Sequence, residues 1–308
     1  MHTNLDRRFP VPRYVKMAIS QVNSCLERRL VYGVVKKNGD WQAYFNLPEH
    51  YCEDYLKKLG LEQQKPDRAF LDALVTQHQL MIPFENLDVT DFHKPVSLRP
   101  ADLYQRLILG KRGGYCFQLN GAFSLLLRAL GFDAWLCLAR QLQHDESVPV
   151  PATHCAIIVY LNGQRLFCDV GYGGPAPMTS LDIDNGAEQL SNHELFYFST
   201  QPVQNGVSST HPGWITLVRK STTSRTERAL EQFTPVNFYL EDFYGLSLMR
   251  SFGDSAYETR HVKRRLPDGY IDLTADILTV NHHGDRTTET VSTEQLTTVL
   301  KQYFGIER

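Results

Sequence analysis

Asn162-Gly163 constrains this chain more than any other feature, because it separates two apolar, β-leaning runs, His154 to Leu161 and Gln164 to Val170. Both turn residues suit the positive-φ backbone of a two-residue type I′ turn, so the runs are predicted to form a hairpin whose register the turn fixes. Leu161 then lies opposite Gln164, and each step back along one strand is a step forward along the other. Ala156 falls opposite Asp169, and His154 opposite Gly171. Partners and next-but-one residues share a face, so His154 and Asp169 become diagonal neighbours, with a carboxylate in reach of an imidazole. Gly171 leaves open space beside the ring, where a group carried by another part of the chain could enter. The same register turns Cys155 and Cys168 to the opposite face, which disfavours a zinc site joining His154 to those thiols. His78 and the pair His282-His283 lack the spacing of a zinc motif and read as core or surface residues.

β character extends on both sides of this hairpin, from Asp133 to about Arg219, through the runs Ala134 to Ala139, Leu195 to Ser199 and Trp214 to Arg219. A small antiparallel sheet or barrel is expected there. Upstream the period is helical: Tyr51, Tyr55, Leu56 and Leu59 before Gly60, then Phe70, Leu71, Leu74 and Val75 before Ile82-Pro83. Pro100, Leu103, Leu107 and Ile108, stopped by Gly110, predict a third helix. Residues 1–48 read as a separate opening segment, with Lys37-Asn38-Gly39-Asp40 as the turn of a small hairpin between Leu30 to Val35 and Trp41 to Leu47. The tail mixes strand-like runs (Thr259 to Arg264, Ile271 to Thr274, Asp276 to Val280) with a final helix from Thr293 to Phe304.

Cys116 follows Gly113-Gly114 and precedes an apolar stripe at Leu119, Ala122, Phe123, Leu126, Leu127 and Leu130, closed by Gly131. It therefore stands at a helix N-terminus, where unpaired amides favour the nucleophilic thiolate. The two glycines are expected to let the backbone approach a substrate closely. Read alone, a helix-start cysteine is a small buried hydrophobe. With His154 as base and Asp169 to orient it, Cys116 completes a nucleophilic trio.

Charge and composition exclude several classes. With 32 Lys+Arg against 34 Asp+Glu, the net charge of −2 offers no excess of cations to neutralise phosphates, so no nucleic-acid partner is expected. A hydrophobic content of 42% is that of a globular chain with a substantial core. No signal peptide or membrane span is apparent, and six dispersed cysteines without a Cys-x-x-Cys pair suggest reduced thiols and a cytoplasmic location. Gly171-Tyr172-Gly173-Gly174 lacks the spacing and following helix of a dinucleotide fingerprint.

Arg112-Gly113-Gly114-Tyr115-Cys116-Phe117-Gln118-Leu119-Asn120 resembles the nucleophile signature of the arylamine N-acetyltransferases. Ile82-Pro83-Phe84-Glu85-Asn86-Leu87-Asp88, Thr153-His154 and Asp169-Val170-Gly171-Tyr172-Gly173-Gly174 resemble its other motifs, in family order. The resemblance runs from about Tyr51 to the C-terminus. It implies an α+β fold of three parts (helical bundle, antiparallel β-barrel, α/β lid) with a papain-like Cys-His-Asp triad. The expected division is an extension over 1–48, a helical bundle carrying the nucleophile over 49–131, a β-barrel carrying His and Asp over 132–235, and a lid over 236–308. It further implies Cys116, His154 and Asp169 as catalytic residues, and Phe84, Tyr115, Thr153, Gly173 and Gly174 as substrate-binding, the two glycines leaving room for the pantetheine arm of CoA. Arg112, Glu85 and Asn120 would be structural supports, the first two as an ion pair.

The implied reaction is ping-pong acetyl transfer from acetyl-CoA to an arylamine, arylhydrazine or N-arylhydroxylamine through a Cys116 thioester, with no metal. Gln118 stands where the family usually has Glu, and the opening segment is absent from compact members. Both departures keep open an amide synthase that takes a longer acyl chain from an acyl carrier protein. A thiol protease or transglutaminase-like enzyme shares the Cys, His, Asp order, but the arginine-glycine-glycine context of Cys116 speaks against it. A binding module without chemistry is the remaining reading, which the intact trio makes hard to sustain.

Overall fold

The computed structural model describes residues 46–142, 151–200, 213–252 and 259–307. The hairpin expected from Leu30 to Leu47 lies, up to residue 45, outside the described residues. Two amphipathic helices come first, α1 (Tyr51–Leu59) and α2 (Arg68–Met81), the second capped by Asp67, whose side chain accepts from the Phe70 amide at 2.8 Å. The two-residue strand β1 (Phe84–Glu85) and two short helices, α3 (Leu87–Thr90) and α4 (Pro100–Leu103), lead to α5 (Cys116–Ala129). The helix expected to run from Pro100 to Gly110 keeps its extent but not its geometry. From Tyr104 to Leu109 it widens into a π-turn, closed by a bond from the Gly110 amide to the Gln105 carbonyl.

α5 is buried almost all round, so it runs through the bundle core instead of lying on it. Leu119, Phe123, Leu126 and Leu127 on α5 pack with Tyr55 of α1 and Phe70 and Leu74 of α2, all essentially inaccessible. Burying each such side chain is worth roughly 1.5–3 kcal/mol.

Eight antiparallel strands form the second part. They are β2 (Asp133–Gln141), β3 (His154–Leu161), β4 (Gln164–Cys168), β5 (Leu181–Asp182), β6 (Gln189–Ser191), β7 (Glu194–Ser199), β8 (Ile215–Lys220) and β9 (Glu227–Phe233). They pair in the order β5-β4-β3-β2-β9-β8-β7-β6. The two end strands meet through Gln189, whose side chain bonds both the amide and the carbonyl of Asp182 at 2.8 Å, so the sheet nearly closes into a barrel. Phe167, Phe196, Leu217 and Phe233 fill its interior.

The β3–β4 hairpin has the register its turn dictates, from Leu161↔Gln164 to Ile157↔Cys168, with Asn162 and Gly163 both at positive φ. The ladder stops there. Ala156↔Asp169 and His154↔Gly171 are not ladder pairs, because the chain after Cys168 leaves the sheet and turns across the start of α5.

A 3₁₀ turn (Leu240–Phe243) and α6 (Tyr244–Phe252) lead to a second sheet. Its strands β10 (His261–Leu266), β11 (Gly269–Thr274), β12 (Ile277–His282) and β13 (Asp285–Thr290) form a meander, with β1 paired to β10 at the other edge. The final helix α7 (Thr293–Phe304), capped by Ser292 and ended by Gly305 in the left-handed region, packs Leu296, Leu300 and Phe304 onto Val262, Leu273 and Leu278. No helix among the described residues is long and apolar enough to cross a membrane.

Candidate active site

Cys116 is the first residue of α5 and only 3% exposed. Tyr115 is the extended N-cap, and Gln118 Oε1 accepts from its amide at 3.3 Å. A glutamine thus fills the capping role that a glutamate would take. The preceding glycines allow close backbone packing within the protein. A Cβ on Gly113 would stand 2.0 Å from the Pro83 carbonyl oxygen, and one on Gly114 2.7 Å from Gln118 Oε1.

The loop holding those glycines is braced by ions. Glu85, fully buried on β1, takes Arg112 at 2.9 Å and Arg106 at 2.6 Å, while Asp88 takes the same two arginines at 2.8 and 2.5 Å. Arg106 Nε also donates to the Gly113 carbonyl at 2.6 Å. The expected Arg112–Glu85 pair is therefore half of a two-by-two cluster. Arg106, on the π-turn, and Asp88, within the quoted motif, are the members that sequence reasoning missed.

His154 opens β3, and its Nε2 bonds Asp169 Oδ2 at 2.7 Å. Asp169 also accepts at Oδ1 from Asn120 Nδ2 (2.8 Å) and from the Gly171 amide (2.7 Å). Asn120 is one helical turn after Cys116, on the same side of α5. It donates in addition to the Cys155 carbonyl (2.7 Å) and accepts from the Val170 amide (3.0 Å), which ties α5, β3 and the segment after β4 together. Gly171 lets that segment lie on Cys116, since a Cβ there would be 2.8 Å from Cys116 Cα. Burial lowers the proton affinity of His154, but the charge and hydrogen bond of Asp169, with the Cys116 thiol beside the ring, outweigh it and hold the imidazole pKa well above its ordinary value. Nε2 being engaged by Asp169, Nδ1 is the nitrogen left for the thiol, and it makes no hydrogen bond of its own.

The other expected residues are dispersed around this centre. Phe84 is half-buried, and Gly173, at φ +69°, lies so close that a Cβ would be 2.8 Å from its ring. With Tyr172, Gly174, Lys263, Arg264 and Arg265 they line a small cleft. Gly174 also borders a cavity of about 730 Å³ between the barrel and the second sheet, which Cys116 does not line. Tyr115 is buried, its hydroxyl 2.7 Å from Ser247 Oγ, and Thr153 is buried beside the guanidinium of Arg250.

One member was not anticipated at all. Glu231, on β9, is fully buried with a carboxylate oxygen 3.5 Å from His154 Nε2, and neither of its oxygens has a hydrogen-bond partner. Nothing in Arg228-Ala229-Leu230-Glu231-Gln232-Phe233 marks that glutamate as inward-facing. His154, Asp169 and Glu231 each bring one potential metal-ligating atom within 4.8 Å of the others, but His154 and Asp169 already satisfy each other.

Known proteins resemble this chain over most of its described length. The family model described as N-acetyltransferase matches residues 67–307. The arylamine N-acetyltransferase of Mycolicibacterium smegmatis is 30% identical over 194 residues, covering 52% of this chain and 70% of that protein. Several further curated relatives are matched over only about half of their length. The N-malonyltransferase FDB2 of Gibberella moniliformis is 26% identical over 253 residues, covering 73% of this chain and 72% of that one. Among solved structures, the arylamine N-acetyltransferase from M. tuberculosis superposes with a TM-score of 0.74 at 26% identity, over 82% of this chain and 93% of that one. A three-part fold, the ordered motifs and a match spanning most of the described residues lead to one conclusion: the chain belongs to the arylamine N-acetyltransferase family of acyltransferases.

Proposed function

We propose that this protein transfers an acetyl group from acetyl-CoA to the nitrogen of an arylamine or arylhydrazine, or to the oxygen of an N-arylhydroxylamine, through a thioester on Cys116. The observation that carries the proposal is the buried chain of contacts from Asn120 through Asp169 to His154, set beside a cysteine at a helix N-terminus. In the first half-reaction the Cys116 thiolate attacks the acetyl carbonyl. The amides of Cys116 and Phe117, without intrahelical acceptors, are suited to hold the oxyanion, and His154 returns its proton to the departing CoA thiolate. In the second half the amine attacks the thioester, and His154 takes its proton while Asp169 stabilises the imidazolium. Phe84, Gly173 and Gly174, which line one small cleft, are assigned to substrate binding, and Tyr115 and Thr153 are assigned there with them by the family resemblance. The partners are a CoA thioester and a small aromatic amine. We place the reaction in the cytoplasm, where CoA thioesters are made and where the free cysteines stay reduced.

The test is intact-protein mass spectrometry after brief exposure to acetyl-CoA without amine. One acetyl group on Cys116, discharged by an aniline or hydrazine, is the expected result; a Cys116→Ala protein that still transfers acetyl would overturn the reading. A second donor is suggested by likeness to a malonyltransferase over more of the chain than the mycobacterial enzyme matches. A malonyl group adds a carboxylate, and Lys263, Arg264 and Arg265 line the cleft beside Gly173. Comparing acetyl-, malonyl- and longer acyl-CoA with carrier-bound acyl thioesters in the same experiment separates these donors.

A further inference from the structure

Among the described residues, Glu231 is the one carboxyl group in contact with His154 that the acyl-transfer scheme leaves without a part. It arrives from the side of His154 opposite to the Asp169 loop. β9 pairs with β2, Gln141 opposite Glu231 and Ala139 opposite Phe233, while Ala139 also pairs with His154 across β2 and β3. The groups facing the Glu231 carboxyl are few. They are His154, whose Nε2 is 3.5 Å away, and the Asp169 carboxyl beside it, while the thiols of Cys137 and Cys155 and the hydroxyl of Tyr172 lie farther out and feel its charge through the low-dielectric interior. No lysine or arginine among the described residues pairs with it. An ordinary buried carboxyl has donors around it; this one has a single charged neighbour of opposite sign, the catalytic imidazole, at 3.5 Å.

We propose that Glu231 is a positioning residue for His154, a second carboxyl group 3.5 Å from Nε2 of the imidazole that, once ionised, holds the charged ring together with Asp169 and partly substitutes for Asp169 when that carboxylate is removed. The inference rests on the Cys116–His154–Asp169 reading. Charge counting supports the division of labour. A thiolate, an imidazolium and two carboxylates would leave a net charge of −2 in a site closed to water, so one carboxyl keeps a proton. Asp169 accepts from three donors and Glu231 from none, so the proton belongs on Glu231. Burial and the Asp169 charge push the Glu231 carboxyl well above the usual range, against the opposing pull of His154. Once Glu231 ionises, its charge lies 3.5 Å from Nε2 and strengthens the hold of His154 on its own proton.

The measurement is a pH titration of the full-length protein labelled with ¹⁵N-histidine, following the ring nitrogens of His154, which requires no acyl donor. In Glu231→Gln the imidazolium is expected to titrate at least about one pH unit lower than in the wild type, a tenfold weaker hold on the proton. Superimposable curves overturn the proposal. Should Glu231→Gln fail to fold, Glu231→Asp draws the carboxyl back by one methylene, and a smaller shift in the same direction is expected, with no shift overturning it. Alkylation of Cys116 by iodoacetamide supplies the second arm. Asp169→Asn is expected to react at least about tenfold faster than Asp169→Asn/Glu231→Gln, and equal rates count against the substitution of one carboxyl for the other. If wild-type Cys116 alkylates no faster than Cys52, the triad reading itself fails, whatever the Glu231 variants do.

Discussion

Asp169 and Glu231 are equally buried, yet the donors around them differ so completely that one is suited to be an anion and the other an acid. That difference extends to stability. In the unfolded chain a glutamate ionises near ~4.3, whereas the folded Glu231 keeps its proton to higher pH, so from there upward the folded state holds a proton that the unfolded chain has released. Stability therefore falls as pH rises, until the folded carboxyl ionises too. His154, whose proton affinity is also raised, acts with the same sign: its contribution is complete below about 6.5 and is lost as pH climbs through its folded pKa. The thermal midpoint is expected to decline from mildly acid to alkaline pH, and to decline less steeply in Glu231→Gln, as differential scanning calorimetry would reveal. Identical slopes for the two proteins would refute the assignment of a proton to Glu231. Cys116 was legible by its helix start, and the register of one turn brought His154 and Asp169 to one face, but the ladder ends at Cys168, and Asn120 and the Gly171 amide are what hold Asp169 against the ring. Asn120 came only with the family resemblance. Glu231 was not legible, because a charged residue in a charged run gives no hint that the strand will turn it inward.

The loop before Cys116 owes its shape to elements that are individually slight. β1 is two residues long and α3 only four, and what fixes them is the cluster of Arg106 and Arg112 with Glu85 and Asp88. The π-turn carries Arg106, which also binds the Gly113 carbonyl. Removing one partner from such a buried set leaves uncompensated charge, so Arg106→Met is expected to destabilise the fold by about 3 kcal/mol in urea unfolding and to slow acylation of Cys116. A loss below ~1 kcal/mol, the value of an exposed pair, would show that Arg112 and Asp88 suffice. Elements with strong apolar periodicity, such as α5, the β3–β4 hairpin and α7 from Thr293 to Phe304, were readable in advance. β13 was not, because Asp285 to Thr290 is exposed on both faces and has no apolar alternation to betray it. β9 was missed for the converse reason: Glu231 and Gln232 are buried, which inverts the usual pattern. The 3₁₀ turn and α6 are too short and mixed to signal themselves.

Across the whole molecule, Cys116 stands where the bundle meets the barrel, tied through the side chains of Asn120 and Cys155, and the second sheet reaches the loop before it by backbone. β1 pairs with β10 through Phe84↔Lys263, while the Glu85 amide bonds the Gly114 carbonyl, so one dipeptide links the second sheet to the active-site loop. Described from the other end, the chain returns to the same loop. Ile306 is buried after the α7 cap, the Glu307 amide bonds the Lys111 carbonyl, and Lys111 pairs with Glu307 at 2.9 Å. The ion pair is exposed and worth little, so the anchoring falls to Ile306. Ile306→Ala is expected to cost about 2–3 kcal/mol by removing buried methyl groups and leaving a cavity. The consequence should reach beyond α7. If the parts unfold together, denaturation followed by alkylation of the buried Cys116 and by far-ultraviolet circular dichroism will give one coincident transition, displaced equally by the substitution. Hydrogen exchange at Lys111 to Tyr115 should quicken in the same protein. Two separate transitions, with exchange in that loop unchanged, would mean that the second sheet and its helix melt as an independent unit and that the contacts reaching the nucleophile loop from the C-terminal side are too weak to couple it to the rest.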